Sequence, residues 1–325
     1  MSGTRIHRRA LLAGALAAGL PSGLAARRPA RAAEAGVLRI GYQKNGILVI
    51  AKQQGVIEER LKAFGHGVKW VEFSLGPPLL EALGLGGIDL GQTGDAPPIF
   101  AQAAGADLVY AAAQEGAGTG SGILLPRGSP IRTITELKGR RVAFAKGTSA
   151  HNLLVATLEK AGLTYGDIEP VILAPADAAA AFARGSLDAW SIWDPYLAIA
   201  EGGEGVRVLS TATDIARPNS FFLANRGFAQ ARPDVLAATL DVLDGVARWA
   251  EANRGEVAAI LSKGTGVPLA ATRRAVDRAN YRIGPLTPPV VAEQQSVADR
   301  FHALRLIPKP IRVADAVWAP PARNG

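Results

Sequence analysis

An apolar segment that ends in a glycine-rich polar turn and continues as a helix is the recurring pattern of this chain. Residues 91–100, GQTGDAPPIF, contain the clearest example. Thr93 or Asp95 can cap a helix there, and the two prolines that follow suit a first helical turn, where N–H groups have no partner. Such a turn exposes N–H groups and the positive end of a helix dipole at the carboxyl edge of a strand. The segment is a candidate for half of an anion-binding site, and an ordinary capped loop is the alternative.

Two turns of the same kind come earlier in the chain. The predicted strand 37–41 is followed by Gln43 and Lys44, and the predicted strand 69–73 by a turn that contains Gly76. A lysine at a helix start opposes the helix dipole, so Lys44 needs an anion nearby unless it is a solvated surface residue. Three strand-turn-helix units in succession predict an α/β fold with a parallel, doubly wound sheet whose turns gather on one edge.

The same pattern restarts after a flexible run. Glu115 precedes residues 116–122, where four of seven residues are glycine, and this composition predicts a crossover or hinge. A later strand ends in a turn whose Thr148 and Ser149 are good helix caps with adjacent N–H groups, which makes it the natural partner of the first turn. His151 falls in the first turn of the following helix, where a ligand-facing and a structural role both stay open.

A predicted strand at 189–192 ends in Trp193 and Asp194. Because Trp193 and Tyr196 flank a strand end, they are predicted to form an apolar wall of a site, and filling the core is the alternative. The segment 219–225 is predicted to complete the second unit and cross back. From 233 to 304 the periodicity is helical, and no residue there shows site chemistry.

The amino terminus has the composition of an export signal. Residues 1–32 carry six arginines and no acidic residue, with an apolar run at 10–20 and the small-x-small pattern Ala30-Arg31-Ala32. The pair Arg8-Arg9 resembles the twin-arginine type, and a general secretory signal is the alternative. Without these arginines the formal charge of +8 falls to +2, so the composition does not favour nucleic-acid binding.

The chain contains no cysteine, which excludes disulfides, thiolate metal sites and a cysteine nucleophile. No Gly-x-Ser-x-Gly elbow, phosphate-binding loop or paired metal-ligand histidines occur in the sequence. We therefore expect a receptor without a metal or cofactor rather than an enzyme.

Several runs, in this order, resemble the periplasmic aliphatic-sulfonate-binding proteins of ABC importers, within a group that also binds nitrate, taurine and thiamine precursors. The runs are GYQKNG (41–46), SLGPPLLEAL (74–83), GGIDLGQTGDAPPIFAQAAGADLVY (86–110), ELKGRRVAFAKGTSAHNLLV (136–155), GSLDAWSIWDPYLA (185–198), FFLANRGFA (221–229) and LIPKPI (306–311). The resemblance implies a type II periplasmic-binding-protein fold: two α/β lobes, each a mainly parallel sheet flanked by helices, which close on a ligand in the cleft between them.

The resemblance also implies how the chain is divided and what it contacts. Lobe 1 is expected at 36–118 and 224–325 and lobe 2 at 119–223, after the export signal 1–32. The expected partners are an organic sulfonate and an ABC permease in the inner membrane. The protein is expected to be a monomer in the periplasm and not to bind nucleic acid.

By position, the resemblance places the oxyanion head at the turns and Trp193 beside the organic tail. The full set of candidate ligand-binding residues is Gln43, Lys44, Gly76, Thr93, Gly94, Asp95, Glu115, Thr148, Ser149, His151, Trp193 and Asp194. The two aspartates disfavour an anion unless they cap helices or meet an amine. Taurine, nitrate and a pyrimidine thiamine precursor stay open as cargo, whereas a desulfinase-like enzyme on the same scaffold is disfavoured because it needs a cysteine.

Overall fold

The apolar runs of the sequence form two β-sheets with helices packed against them. The computed structural model describes residues 36–319 apart from 204, 216 and 217, so the predicted export signal, 1–32, lies outside the described residues. In chain order the strands are β1 (Val37–Tyr42), β2 (Gly67–Glu72), β3 (Leu90–Thr93), β4 (Leu108–Gln114), β5 (Ser121–Pro126), β6 (Arg141–Phe144), β7 (Glu169–Ile172), β8 (Ala189–Trp193), β9 (Val206–Thr211), β10 (Ser220–Asn225) and β11 (Ile283–Gly284). The predicted α/β class is confirmed.

The helices follow the predicted turns. They are α1 (Gly46–Gln54), α2 (Val56–Lys62), α3 (Gly76–Gly84), α4 (Ala96–Ala103), α5 (Ser149–Lys160), α6 (Pro175–Ala183), α7 (Tyr196–Glu201), α8 (Arg226–Ala231), α9 (Pro233–Ala252), α10 (Arg254–Thr265), α11 (Leu269–Asp277) and α12 (Pro288–Ala303). Short 3-10 helices occupy Ile134–Leu137, Tyr165–Asp167, Ala212–Asp214 and Val313–Ala316. The long helical region predicted after residue 233 is therefore four helices, α9 to α12.

Each sheet combines parallel units with at least one reversed strand. Across the described residues, the first sheet has the order β11-β4-β10-β3-β1-β2 and the second has the order β7-β6-β8-β5-β9. Strand β1 pairs in parallel with β2 and β3, and β6 does so with β7 and β8, as the strand-turn-helix pattern predicts. Strands β10 and β5 run antiparallel to both of their neighbours, so both sheets are mixed.

Strand β10 corrects the predicted division of the chain. It lies wholly in the first sheet, where Phe222 is opposite Gln92 on one side and Ala112 on the other. A boundary between 223 and 224 would cut this strand, whose pairing partners are far away in sequence. We therefore propose lobe 1 as 36–115 and 220–319, and lobe 2 as 120–211.

Two connections run side by side between these lobes. Gly116 lies so close to the second connection that a Cβ on it would come within 1.8 Å of the carbonyl oxygen of Pro218. Gly118 has φ +80°, a conformation that favours glycine, and contacts Thr213. The glycine-rich run predicted as a hinge thus forms one of two closely packed crossings.

The first sheet buries both of its faces. In β10, Phe222 and Ala224 join a core with α1, α9 and α10, while Phe221 and Leu223 join a second core with α3, α4 and α12. This alternation is the period of two expected of a strand buried on both faces. Each fully buried phenylalanine contributes roughly 1.5–3 kcal/mol of transfer free energy. The rigid sheets that result hold the turns at their edges in place.

Candidate functional site

A cavity of about 260 Å³ lies between the two lobes at the edge where the predicted turns gather. Its lining includes ten of the twelve candidate residues, and Asp95 and His151 are not among them. The lining residues predicted from the sequence are Gln43, Lys44, Gly76, Thr93, Gly94, Glu115, Thr148, Ser149, Trp193 and Asp194. Residues from α10 and α11 complete it, although the sequence showed no site chemistry there.

Three helices begin at this cavity. Asn45 and Gly46 at the start of α1, Gly76 at the start of α3, and Thr148 and Ser149 at the start of α5 all line it. In the part of the chain that the structure describes, none of these helices receives a hydrogen bond from its own N-cap side chain. The N–H groups of a first helical turn have no intrahelical partner, and the helix dipole is positive at this end. In α3, Pro77 and Pro78 have no N–H, so this turn contributes fewer donors than the starts of α1 and α5 do. The cavity is therefore built to attract an anion.

The hydroxyls of the α5 turn are used within the protein. Thr148 donates from Oγ1 to the carbonyl oxygen of Ala145 at 2.6 Å. The Ser149 hydroxyl hydrogen-bonds to the Asp95 carboxylate, and it lies so close to Gly94 that a Cβ there would be 1.9 Å from it. These two candidates thus offer an anion their backbone N–H groups rather than their hydroxyls.

Asp95 is corrected from a ligand residue to a structural one. It is buried, and its carboxylate accepts hydrogen bonds from the Ala96 backbone N–H at 2.7 Å and from Asn152 Nδ2 at 2.6 Å. Burial raises the pKa of Asp95 to about 6, against the lowering effect of these hydrogen bonds. The carboxylate caps α4 and ties it to α5 in lobe 2, which is the arrangement that makes an aspartate compatible with an anion site.

His151 is also corrected, because its side chain points into the core. It is 0% exposed and stacks on Phe144 with ring centroids 4.7 Å apart, while Phe301 of lobe 1 lies at 5.2 Å. Its Nδ1 accepts from the Gly147 N–H at 3.2 Å. Burial, with a smaller effect of Lys146, lowers the pKa of His151 to about 4. The ring is therefore neutral near pH 7 and belongs to the lobe interface, not to the cavity.

Asp194 is in the cavity lining and is held by a residue that sequence reasoning missed. Its Oδ1 accepts from the Ala198 N–H at 3.0 Å, and its Oδ2 is 2.7 Å from Arg278 Nε. Arg278 also donates to Glu201 Oε2 at 2.6 Å. Burial raises the pKa of Asp194 to about 6, although the neighbouring guanidinium opposes this effect. Arg278 lies one residue beyond α11, where an arginine in an amphipathic segment resembles a solvated surface residue.

The remaining candidates divide between wall and rim. Trp193 and Tyr196 meet edge to face at 6.1 Å and both pack against the core of lobe 2, but of the two only Trp193 lines the cavity. Lys44 pairs with Glu72 at 3.4 Å and is largely exposed, so its nearby anion is a surface carboxylate. Glu115 is 3.4 Å from Arg282.

Gln43 and Thr93 are held by backbone contacts. Gln43 donates from Nε2 to the Gln92 carbonyl oxygen at 3.3 Å, and Thr93 donates from Oγ1 to the Gly94 carbonyl oxygen at 3.2 Å. Gly76 packs against Pro97, so that a Cβ there would come within 2.7 Å of the proline ring. Small residues at these turns let the backbones of α3 and α4 approach each other beside the cavity.

Within the described residues, no group of three or more histidines and carboxylates could hold a metal ion. None of the helices described is both long enough and apolar enough to cross a membrane.

Two mixed β-sheets flanked by helices, with a cavity between them that is lined by turns from both, define a two-lobed binding protein of the periplasmic type. A model of the NMT1-like family matches residues 31–262. The chain belongs to the NMT1-like family.

Relatives of known name cover most of the chain. A protein of Escherichia coli (strain K12) named as an aliphatic sulfonates-binding protein is 44% identical over 290 residues, 89% of this chain and 90% of that protein. The crystal structure of the periplasmic aliphatic sulphonate binding protein SsuA from Escherichia coli matches with a TM-score of 0.81 at 43% identity, over 87% of this chain and 97% of that one. The alkanesulfonate-binding protein SsuA from Xanthomonas axonopodis pv. citri, bound to MOPS, matches with a TM-score of 0.82 at 43% identity, over 88% and 99%. These matches confirm the family resemblance and the two-lobed fold predicted from the sequence.

Proposed function

We propose that this chain is the extracytoplasmic receptor of an ABC importer and captures aliphatic sulfonates by lobe closure. The convergence of three helix N-termini without side-chain caps on one cavity carries this proposal. A sulfonate has three acceptor oxygens, and each charge-assisted hydrogen bond to them contributes about 1.5–3 kcal/mol. Oriented N–H groups hold such an anion without a paired cation, which suits a cavity whose charged side chains already have partners.

The apolar part of the lining supports an organic ligand rather than a bare inorganic anion. Leu261, Val267, Ala275 and Val276 come from α10, α11 and the loop between them, and Trp193 comes from lobe 2. An alkyl chain gains free energy by leaving water for such a surface, whereas nitrate has no group to place there. Aliphatic sulfonates therefore fit the cavity better than nitrate does.

The chain is a binding protein rather than an enzyme, as its relatives are. A desulfinase-like activity would need the cysteine that the sequence lacks. We propose the periplasm as its compartment, reached by residues 1–32 as an export signal of the twin-arginine or the general secretory type. A membrane permease is the proposed partner, and the proposed functional form is a monomer.

Calorimetric titration of the exported protein, freed of bound ligand by unfolding and refolding, tests this function. The ligands are ethanesulfonate, octanesulfonate, taurine, nitrate and a pyrimidine thiamine precursor. We expect the alkanesulfonates to bind with a Kd of about 1 μM or tighter, and the other three ligands to bind more weakly. If no sulfonate binds and another ligand does, the receptor class stands but the cargo is that other ligand.

A further inference from the structure

Helix α11 carries two adjacent stripes of side chains with different contacts. Thr272, Ala275 and Val276, at positions i, i+3 and i+4, line the cavity. Residues at this spacing share one face of a helix. Arg274, and Arg278 directly after the helix, lie on the neighbouring face and reach lobe 2, and Arg278 also borders the cavity. The same helix therefore touches the ligand space and the opposite lobe.

The arginine stripe joins the lobes through hydrogen bonds to α7 and its N-cap region. Arg274 donates from Nη2 to the Ala198 carbonyl oxygen at 2.9 Å. Arg278 donates from Nη2 to Asp194 Oδ1 at 3.1 Å and to Glu201 Oε2 at 2.6 Å. With two carboxylates as partners, the guanidinium is not available as the counter-ion of a sulfonate. The anionic head is therefore better placed at the helix N-termini than beside α11.

We propose that α11 reads the organic tail of the ligand, with the partly exposed Ala275 packing against the alkyl chain and the buried Thr272 and Val276 supporting it from behind, while Arg274 and Arg278 tie this helix to lobe 2. This inference rests on the proposed sulfonate function. The length of the alkyl tail then determines the affinity of the closed protein. A tail that is long enough to reach α11 packs against this helix, which belongs to lobe 1 and is tied to lobe 2, and a shorter tail does not. Trp193 contributes a wall on the lobe 2 side, as predicted from the sequence, but the length limit comes from α11.

The test is a titration series of ethane-, butane-, hexane- and octanesulfonate against the full exported protein and its variants. In the unmodified protein, affinity is expected to rise about fourfold for each added methylene until the cavity is full. Ala275→Leu fills the tail space and is expected to weaken octanesulfonate binding by at least about tenfold, while ethanesulfonate changes by less than about twofold. Ala275→Val is the milder variant and shifts the series in the same direction.

Ala270→Leu is the matched control, because Ala270 is on the exposed side of the same helix. It is expected to leave the whole series unchanged. A chain-length profile in Ala275→Leu that equals the unmodified one would overturn the inference. Affinity for sulfonates that does not depend on chain length would do so as well, while leaving the sulfonate function intact. If the unmodified protein binds no sulfonate, the proposed function itself fails.

Arg278→Gln separates the two stripes. It removes the ionic contacts to lobe 2 and is expected to weaken every sulfonate by the same factor, at least about fivefold. The ratio of octanesulfonate to ethanesulfonate affinity then stays as in the unmodified protein. A loss confined to the long chains would place Arg278 inside the tail space and contradict the assignment of separate stripes.

Discussion

Single residues at the lobe interface take roles that depend on which atoms surround them. Asp95, Asp194 and His151 all lie within or next to turns that resemble anion sites, yet Asp95 and His151 face away from the cavity. An aspartate near an anion site is expected to cap a helix, and both aspartates do so, since each accepts a hydrogen bond from a backbone N–H at a helix start. His151 has Nε2 buried without a hydrogen-bond partner among the described residues. The folded protein is therefore more stable with the His151 ring neutral than with it protonated.

His151→Phe tests this role through the pH dependence of stability. Burial holds the folded-state pKa of His151 at about 4, below its ordinary value of 6.5, so the unfolded chain binds the proton first. Stability is expected to fall as pH drops from about 6.5 towards 4, and the variant lacks this loss. The variant should gain about 2 kcal/mol relative to the unmodified protein between pH 7 and pH 4.5, measured by urea unfolding at each pH.

The His151→Phe variant is compared with the unmodified protein because Asp95 makes a contribution to the pH dependence of stability that has the opposite sign. Its folded-state pKa is raised to about 6, so the folded form binds a proton that the unfolded form does not yet hold, and this adds stability as pH falls. Asp95 is present in both proteins and its contribution cancels in the difference. A pH-independent difference between them would show that His151 is not buried as described.

At the scale of elements, the starts of helices determine the chemistry of the cavity. Helices α1 and α5 keep their first N–H groups without side-chain caps, and α3 keeps that of Gly76, since Pro77 and Pro78 have none. Helix α4, which begins beside the same cavity, is capped by Asp95. A cap on one of the three would compete with the ligand for the same N–H groups. Stability and anion binding are thus opposed at these positions.

Asn45→Asp places a carboxylate at the N-cap of α1 with little change of shape, but it removes the 3.5 Å hydrogen bond that Asn45 Nδ2 donates to the Asp194 carbonyl oxygen. The favourable interaction of the charge with the helix dipole, about 0.5 kcal/mol, is therefore expected to be offset, and stability to change little. The variant is expected to weaken sulfonate binding at least about tenfold, because the carboxylate repels the anion. Thermal unfolding and calorimetric titration measure the two effects.

Thr287→Asp is the control, since Thr287 is the exposed N-cap of α12 and has no part in the cavity lining. It should show a gain in stability with unchanged affinity. Unchanged affinity in Asn45→Asp would remove α1 from the anion site.

At the scale of the whole molecule, contacts on two sides hold the lobes together. Arg278 joins the end of α11 to Glu201 of α7 on one side, and Arg300 of α12 meets Glu159 of α5 at 2.7 Å on the other. Between them the two connections pass each other at Gly116 and Pro218. We therefore expect lobe closure to depend on how closely these connections pack.

Gly116→Ala tests that packing. A Cβ would come within 1.8 Å of the Pro218 carbonyl oxygen, so the connections must separate. We expect the variant to lose about 1–3 kcal/mol of stability and to bind sulfonate more weakly, because the closed arrangement is strained. Small-angle scattering with saturating octanesulfonate should give a larger radius of gyration than in the unmodified protein.

Gly128→Ala is the matched control, because no heavy atom lies within 4 Å of the Cβ that it adds. This variant should close and bind like the unmodified protein. Full closure of Gly116→Ala at unchanged affinity would mean that the crossing tolerates a side chain and does not limit the motion.

Local patterns of the sequence predict most of the strands and helices and ten of the residues that line the cavity. Alternation in β10, glycine-rich turns after β1 and β3, and helix starts near Gly76 and Ser149 depend on contacts over a few residues, which periodicity and capping rules describe. Because parallel strands gather their carboxyl ends on one edge, these turns were expected to meet, and they do so at the cavity.

Tertiary structure alone decided which sheet β10 joins, which side chains turn inward, and what α10 and α11 contribute. Strand β10 has the same pattern whichever sheet it completes, and its partners lie more than a hundred residues away. The direction of His151 and the pairing of Arg278 with Asp194 depend on surfaces of the opposite lobe. An apolar stripe on a helix has the same spacing whether it faces a core or a ligand, so only the packed molecule distinguishes the two.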